Sequence, residues 1–157
     1  CEAGARVAMV NLSCKDISRF VDGHNSRRLQ LAKGNVTGQP AASKMKSVVW
    51  DVELARMAAD WAKKEKYGHN RNRTLGKPFF TIIDSLLAMM GMAWSNTEYI
   101  GCGLSEFQQG KFMNHYVVCN YGPGGNYLGK VPYKRGLPSD RLQCGANSCS
   151  KPYGPSC

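Results

Sequence analysis

The chain has 157 residues, and its 21 lysines and arginines against 11 aspartates and glutamates give a net charge of +10. This length predicts one domain with its own hydrophobic core, and no apolar run is long enough to span a bilayer, so no transmembrane segment is expected. The charge favours anionic partners such as sulfated glycans or acidic lipids, although the basic residues are dispersed and also serve solubility.

The first half of the chain predicts two helices. Hydrophobic residues recur at helical spacing from Asp16 to Lys33, and Gly34 is a typical stop. Val48 to Trp50 is a short apolar entry to a second helix, which Asp51 can cap. We expect each helix to place one face on the core.

The middle of the chain combines a basic loop with an apolar run. The loop from Lys63 to Lys77 is a candidate site for a polyanion such as a sulfated glycan, and Phe79 to Met92 can be helical from Ile82 onward. The methionines of that run favour a core position, but the same side chains could line a groove for a lipid or a partner: Met89, Met90 and Met92. We keep both interpretations.

The segment from Tyr99 to Tyr121 predicts a β-hairpin. Its two runs, Tyr99 to Phe107 and Phe112 to Tyr121, are rich in β-forming residues, and Gly110 lies in the turn between them. Cys102 and Cys119 would face each other, and a disulfide there would contribute roughly 3 kcal/mol on the chain-entropy model. We therefore assign this cysteine pair a structural role.

Cysteine usage indicates an oxidising compartment. The seven cysteines lie near the two ends and in the hairpin: Cys1, Cys14, Cys102, Cys119, Cys144, Cys149 and Cys157. No histidine neighbours a close cysteine pair, which favours disulfides over a metal site, and the odd count leaves one thiol free or intermolecular. The remaining pairings stay open, and the start at Cys1 without a leader is expected for a mature secreted protein.

Two further features agree with secretion. Three Asn-x-Ser/Thr sequons are candidate glycosylation sites, at Asn11, Asn35 and Asn72. The last segment, rich in Pro, Gly and Ser, predicts a crosslinked tail. We divide the chain into residues 1–136 and a cysteine-rich tail, residues 137–157.

Four motifs resemble those of the CAP superfamily, which contains the cysteine-rich secretory, antigen 5 and pathogenesis-related 1 proteins. They read FVDGHNSRR, KMKSVVWDVELARMAADWAKK, IGCG and HYVVCNYGPGGN, in the order of the family. The resemblance extends over Ile17 to His69 and Ala93 to Tyr133, and is strongest to the antigen 5-like venom and salivary proteins of arthropods. It implies an α/β fold, an α-β-α layered sandwich.

The same resemblance implies a central cleft with two histidines and two glutamates, which in some members holds a divalent metal. His69, in KYGHNRNR, resembles the first of these histidines, but only a shortened stretch separates it from Trp94. Ala88 stands where the second histidine is expected, and Glu98 and Glu106 belong to the following strand region. We therefore expect neither a metal site nor a cofactor.

No catalytic signature such as G-x-S-x-G is present, and Ser105 falls in a predicted strand. His24 and His115 are interpreted as structural. The sequence is thus interpreted as a secreted, non-enzymatic antigen 5-like protein, an allergen of venom or saliva, that binds host proteins or small lipids. A lipid carrier with an apolar groove and a glycan-binding protein are the alternatives, a hydrolase is the least favoured one, and nucleic acid is not expected as a partner.

Overall fold

The computed structural model describes residues 7–64, 80–82, 91–109, 111–146 and 149–157. Two helices and seven strands follow one another in this part of the chain, and residues 91–93 form a further helical turn. In chain order they are β1 Val7–Val10, α1 Cys14–Lys33, β2 Ala42–Ser43, β3 Val49–Trp50, α2 Val52–Ala62, β4 Phe80–Ile82, β5 Tyr99–Gln109, β6 Phe112–Gly122 and β7 Lys134–Arg135.

Both predicted helices are present, with caps at their ends. Ser13 and Asp16 form a reciprocal capping box at the start of α1, and Gly34 ends that helix with a φ of 73°. Helix α1 therefore begins two residues before the predicted start. Asp51 caps α2, as predicted, and accepts a hydrogen bond of 2.8 Å from the backbone N–H of Leu54.

The main sheet has the order β1-β5-β6-β4, and β3 pairs in parallel with β5. The predicted hairpin forms its centre, with Cys102 directly opposite Cys119. The other five strands, β1 to β4 and β7, lie outside the prediction. Strand β1 pairs with β5, and β4 occupies residues 80–82, so Ile82 is in a strand and does not begin a helix. A short apolar run is compatible with a helix or a strand, and here it is a strand because it pairs with β6.

Helices pack on the two faces of this sheet. On one face, Ala58 and Ala62 of α2 pack with Tyr116 and Val118 of β6. On the other face, Val21 of α1 joins a cluster formed by Val48, Trp50, Ile100, Cys102, Cys119 and Tyr121. The α/β class and the α-β-α layering expected from the sequence are confirmed.

The C-terminal segment lies against the first helix and β3. The backbone N–H of Trp50 donates to the carbonyl of Pro152, and the hydroxyl of Tyr153 donates to Asp22. A disulfide joins Cys14, the first residue of α1, to Cys157, and another joins Cys144 to Cys149. These contacts attach the tail to the same core as the helices and strands.

Across the described ranges, neither helix combines the length and the apolarity that a bilayer crossing requires.

Candidate binding surface

A buried arginine organises the loops at one end of the main sheet. Arg28 of α1 is fully buried, and its guanidinium uses all five N–H donors. Each acceptor is a backbone carbonyl, at 2.7–3.2 Å, on Lys46, Met92, Trp94, Ser95 or Thr97. Burial lowers the pKa of Arg28 to about 10, so the group stays charged at neutral pH and holds residues 92–97 by charge-assisted hydrogen bonds.

Residues 95 and 97 in turn hold the segment that follows β6. The backbone N–H of Ser95 donates to the carbonyl of Pro132 at 2.8 Å, and the hydroxyl of Thr97 donates to the carbonyl of Pro123 at 3.0 Å. Helix α1 is thereby connected through Arg28 to both ends of residues 123–132.

Trp94 packs against the same segment. Its indole is buried and makes an edge contact with the ring of Tyr127, at 5.6 Å between centroids. Gly125 lies so close to this indole that an added Cβ would be 2.5 Å from Trp94 Cγ. Glycine is required here because a larger residue would displace the tryptophan.

The residues after this contact form what we call the 126–137 loop. The backbone N–H of Lys130 donates to the carbonyl of Tyr127 at 3.0 Å, and Gly129 has a φ of 73°, which together define a β-turn with Leu128 at its tip. Several apolar side chains of the loop face solvent: Tyr127 is 50% exposed, Leu128 101%, Val131 72% and Leu137 88%. Exposed apolar side chains that lie close together on a surface are typical of interaction sites.

Basic residues alternate with these apolar ones. Lys130, Lys134 and Arg135 are exposed, and no acidic residue occurs from Pro123 to Pro138. Among the ion pairs formed by described residues, none involves these three cations. The 126–137 loop therefore presents apolar and cationic side chains. Hydrogen bonds from Ser95 and Thr97 hold the backbone at its base.

His24 lies on the buried face of α1. Its Nδ1 lies 2.7 Å from the carbonyl of Phe20, which can only accept, so Nδ1 carries the hydrogen and Nε2 accepts from the hydroxyl of Tyr121 at 2.9 Å. Burial lowers the pKa of His24 to about 4 and raises that of Tyr121, so both groups are neutral at physiological pH. His24 joins α1 to the sheet, in agreement with its structural interpretation.

The other groups considered for catalysis also make contacts within the fold. The hydroxyl of Ser105 donates to the carbonyl of Ala62, and His115 pairs with Glu106 on the neighbouring strand at 3.1 Å. Glu98 precedes β5 and pairs with Lys46. Within the ranges that the structure describes, no group of three His, Cys, Asp or Glu side chains could hold a metal ion.

The structure describes only some of the candidate site residues. His69, Met89, Met90 and Asn72 lie outside the described residues, as does most of the basic loop from Lys63 to Lys77. Met92 is half-buried, and its carbonyl accepts from Arg28. Cys102 and Cys119 form a disulfide across the hairpin. Asn11 and Asn35 are exposed, at the end of β1 and after α1.

Sequence reasoning missed the two features that build this surface. Arg28 belongs to the HNSRR motif, but nothing in its spacing distinguishes a buried arginine from its exposed neighbour Arg27. The glycines and prolines of the 126–137 loop indicate turns and do not by themselves indicate a binding surface. The combination of aliphatic and basic residues without a carboxylate was the available signal in that segment.

Comparison with known proteins places this architecture in a family. The profile of the CAP family, the cysteine-rich secretory proteins, matches residues 21–87. Venom allergen 5 of Vespula flavopilosa is 30% identical over a gapped alignment that covers 82% of this chain and 84% of the relative. Venom allergen 5.02 of Dolichovespula maculata is 29% identical, over 84% and 83% of the two chains.

A solved structure supports the same assignment. The crystal structure of NaASP2 with Zn2+ is similar with a TM-score of 0.63 and 26% sequence identity, and covers 82% of this chain and 90% of that one. This chain belongs to the CAP family of cysteine-rich secretory proteins. Within the family it is antigen 5-like, because venom allergens 5 match it over most of their length.

Proposed function

We propose that this protein is a secreted, non-enzymatic CAP protein of the antigen 5 type that acts by binding a host protein or a small lipid. The observation that carries the proposal is the rigid surface at the end of the sheet, where the 126–137 loop presents apolar and basic side chains on a base held by Arg28. A surface held in place before binding loses little conformational entropy when a partner is bound.

The contacts of the candidate catalytic groups support a binding role. Both ring nitrogens of His24 are hydrogen-bonded inside the core, and the hydroxyl of Ser105 is bonded to a backbone carbonyl. A general base needs a nitrogen or oxygen within reach of a substrate proton. These groups are instead used to join α1 and α2 to the sheet.

Turnover assays test the non-enzymatic part of the proposal. We expect the protein to hydrolyse ester and peptide substrates no faster than a blank, and His115→Ala, His69→Ala and the parent protein to give the same rate. Turnover that disappears in either histidine variant would make the protein a hydrolase and contradict the proposal.

Native mass spectrometry with lipid extraction tests the kind of molecule that is bound. A stoichiometric fatty acid or sterol would identify a carrier and would support the alternative in which Met89, Met90 and Met92 line an apolar groove. A protein mass without lipid directs the search to a host protein. Retention on heparin at physiological salt would instead favour the glycan-binding alternative.

We also propose that the protein is secreted and glycosylated. The three disulfides suit an oxidising compartment, and the exposed Asn11 and Asn35 are accessible to a glycosyltransferase. We propose that residues 137–157 act as a clamp across the start of α1 and are a separate segment from residues 1–136. Expression in a eukaryotic secretory host should give medium-borne protein whose mass falls on glycosidase treatment, and Asn35→Gln should remove part of that fall.

A further inference from the structure

We infer that the 126–137 loop is a docking site for an anionic lipid membrane. The inference rests on the proposed binding function and names the surface that this site contacts. It concerns the face of a bilayer, which is a different partner from a single lipid molecule held inside the protein.

The position of the aliphatic residues is the first argument. Leu128 occupies the tip of the β-turn from Tyr127 to Lys130 and is 101% exposed, and Val131 follows directly and is 72% exposed. The aromatic neighbours keep contacts with the protein, since half-exposed Tyr127 touches Trp94 and Tyr133 is buried with Met45. Leu128 and Val131 are more exposed than either ring.

The fixed base of the loop is the second argument. Hydrogen bonds from Ser95 and Thr97 hold the carbonyls of Pro132 and Pro123, and β7 pairs with β2 through Lys134 and Arg135. These bonds hold the backbone on both sides of Leu128 and Val131. A loop held in this way can enter the headgroup region at a small ordering cost.

Charge complementarity selects the membrane among possible partners. Lys130 lies between Leu128 and Val131 in the chain, and the exposed Lys134 and Arg135 follow in β7. The segment from Pro123 to Pro138 contains no carboxylate. Basic residues beside an aliphatic tip match an anionic bilayer, whose headgroups are negative and whose acyl boundary is apolar. A sulfated glycan would match the cations but would leave Leu128 and Val131 without an apolar contact.

Co-sedimentation of the full-length protein with vesicles tests the inference. We expect binding to vesicles of phosphatidylcholine with a third of phosphatidylserine, little binding to phosphatidylcholine alone, and weaker binding as salt is raised. Leu128→Asn should weaken the binding roughly tenfold, because it removes an inserted side chain. Lys134→Gln should weaken it roughly fivefold, the effect of one cation at an anionic surface.

Matched controls come from other exposed positions of the same chain. Phe112→Ser changes an exposed aromatic residue, 76% exposed, at the far end of β6, about 34 Å along the strand from the loop. Lys15→Gln removes a cation at the start of α1. We expect both variants to bind vesicles like the parent protein, and the melting temperatures of all variants should stay unchanged because every substituted side chain is exposed.

Three results would overturn the membrane assignment. They are the absence of binding to phosphatidylserine vesicles, binding that Leu128→Asn leaves unchanged, and binding that Phe112→Ser removes. Heparin retention that Lys134→Gln weakens and Leu128→Asn does not, together with no vesicle binding, would assign the loop to a glycan. None of these results bears on the non-enzymatic binding function, which the turnover assays judge separately.

Discussion

A single guanidinium connects helix α1 to the loops at the end of the sheet. The five carbonyls that accept from Arg28 lie between 18 and 69 residues away along the chain. Within the described part of the chain, no carboxylate pairs with this guanidinium. The side chain therefore holds residues 92–97 through hydrogen bonds to backbone carbonyls and not through an ion pair. Its loss would leave several buried carbonyls without a partner.

Arg28→Met should therefore lower the free energy of unfolding by at least about 3 kcal/mol, because each unsatisfied buried group costs about 1–3 kcal/mol. Denaturant titration measures the change. Arg27→Met is the matched control, since Arg27 is exposed and donates to the carbonyl of Gly23 in its own helix, and should cost less than about 0.5 kcal/mol. A loss below 1 kcal/mol in Arg28→Met, roughly the value of one ordinary hydrogen bond, would contradict this role.

His24 makes the stability of the fold depend on pH. Its pKa is about 4 in the folded protein, below the ordinary value of 6.5, because burial disfavours the charged ring. The unfolded chain therefore binds more protons between these two values, so stability is fully present above about pH 6.5 and falls as the pH approaches 4. The contribution is on the order of 3 kcal/mol.

The measurement is the free energy of unfolding across this pH range for the parent protein and two variants. In His24→Gln, the free energy of unfolding should fall much less below pH 6.5 than in the parent protein. His115→Gln, at an exposed position on β6, should show the same fall as the parent protein. Parallel curves for His24→Gln and the parent protein would show that His24 does not control the acid response.

At the scale of elements, two glycines let α2 lie directly on β5. A Cβ at Gly101 would be 2.1 Å from the backbone nitrogen of Ala55, and one at Gly103 would be 2.3 Å from that of Ala59. Both obstacles are backbone atoms, which cannot rotate away. The helix and the strand can approach this closely only because glycine stands at both positions.

Gly101→Ala should accordingly destabilise the protein by about 3 kcal/mol or more, as overpacking against a fixed backbone does. Gly23→Ala provides a control of opposite sign. Gly23 lies within α1, and its Cβ would meet only the flexible end of Arg27, at 3.4 Å, so we expect a gain of about 0.5–1 kcal/mol from helix propensity. Urea unfolding measures the stability of both variants. Similar stabilities would show that α2 and β5 are farther apart than these distances.

The hairpin and the two helices show how far local pattern predicts elements. Asp51 as a cap and Gly34 as a stop were recognisable because capping depends on neighbouring residues. Strand β1 was not, since a four-residue strand acquires its structure from its partner β5. The same holds for β4, whose apolar sequence is compatible with a helix or a strand.

At the scale of the whole molecule, the three disulfides formed by described residues connect regions of very different separation. Cys14 and Cys157 are 143 residues apart, Cys102 and Cys119 are 17 apart, and Cys144 and Cys149 are 5 apart. Since the stabilisation by a crosslink grows with the loop that it closes, the link between α1 and the C-terminus has the largest expected effect. The seventh cysteine, Cys1, lies outside the described residues.

Removing these disulfides one pair at a time should give a ranked series. On the chain-entropy model the losses are about 5 kcal/mol for Cys14→Ser with Cys157→Ser, about 3 for Cys102→Ala with Cys119→Ala, and about 2 for Cys144→Ser with Cys149→Ser. Unfolding by guanidinium without reductant measures them. The reverse order would mean that native-state packing, and not loop closure, sets the contribution of each bond.

Motifs, caps, the hairpin and the family resemblance could be obtained from the sequence because they depend on residues that are near one another in the chain. The role of Arg28, the contacts of the tail with Trp50 and Asp22, and the outward position of Leu128 were decided by tertiary structure. Each depends on which distant backbone groups come within hydrogen-bonding distance once α1 packs on the sheet. No local pattern encodes that distance, so only the folded chain shows where the proposed binding surface lies.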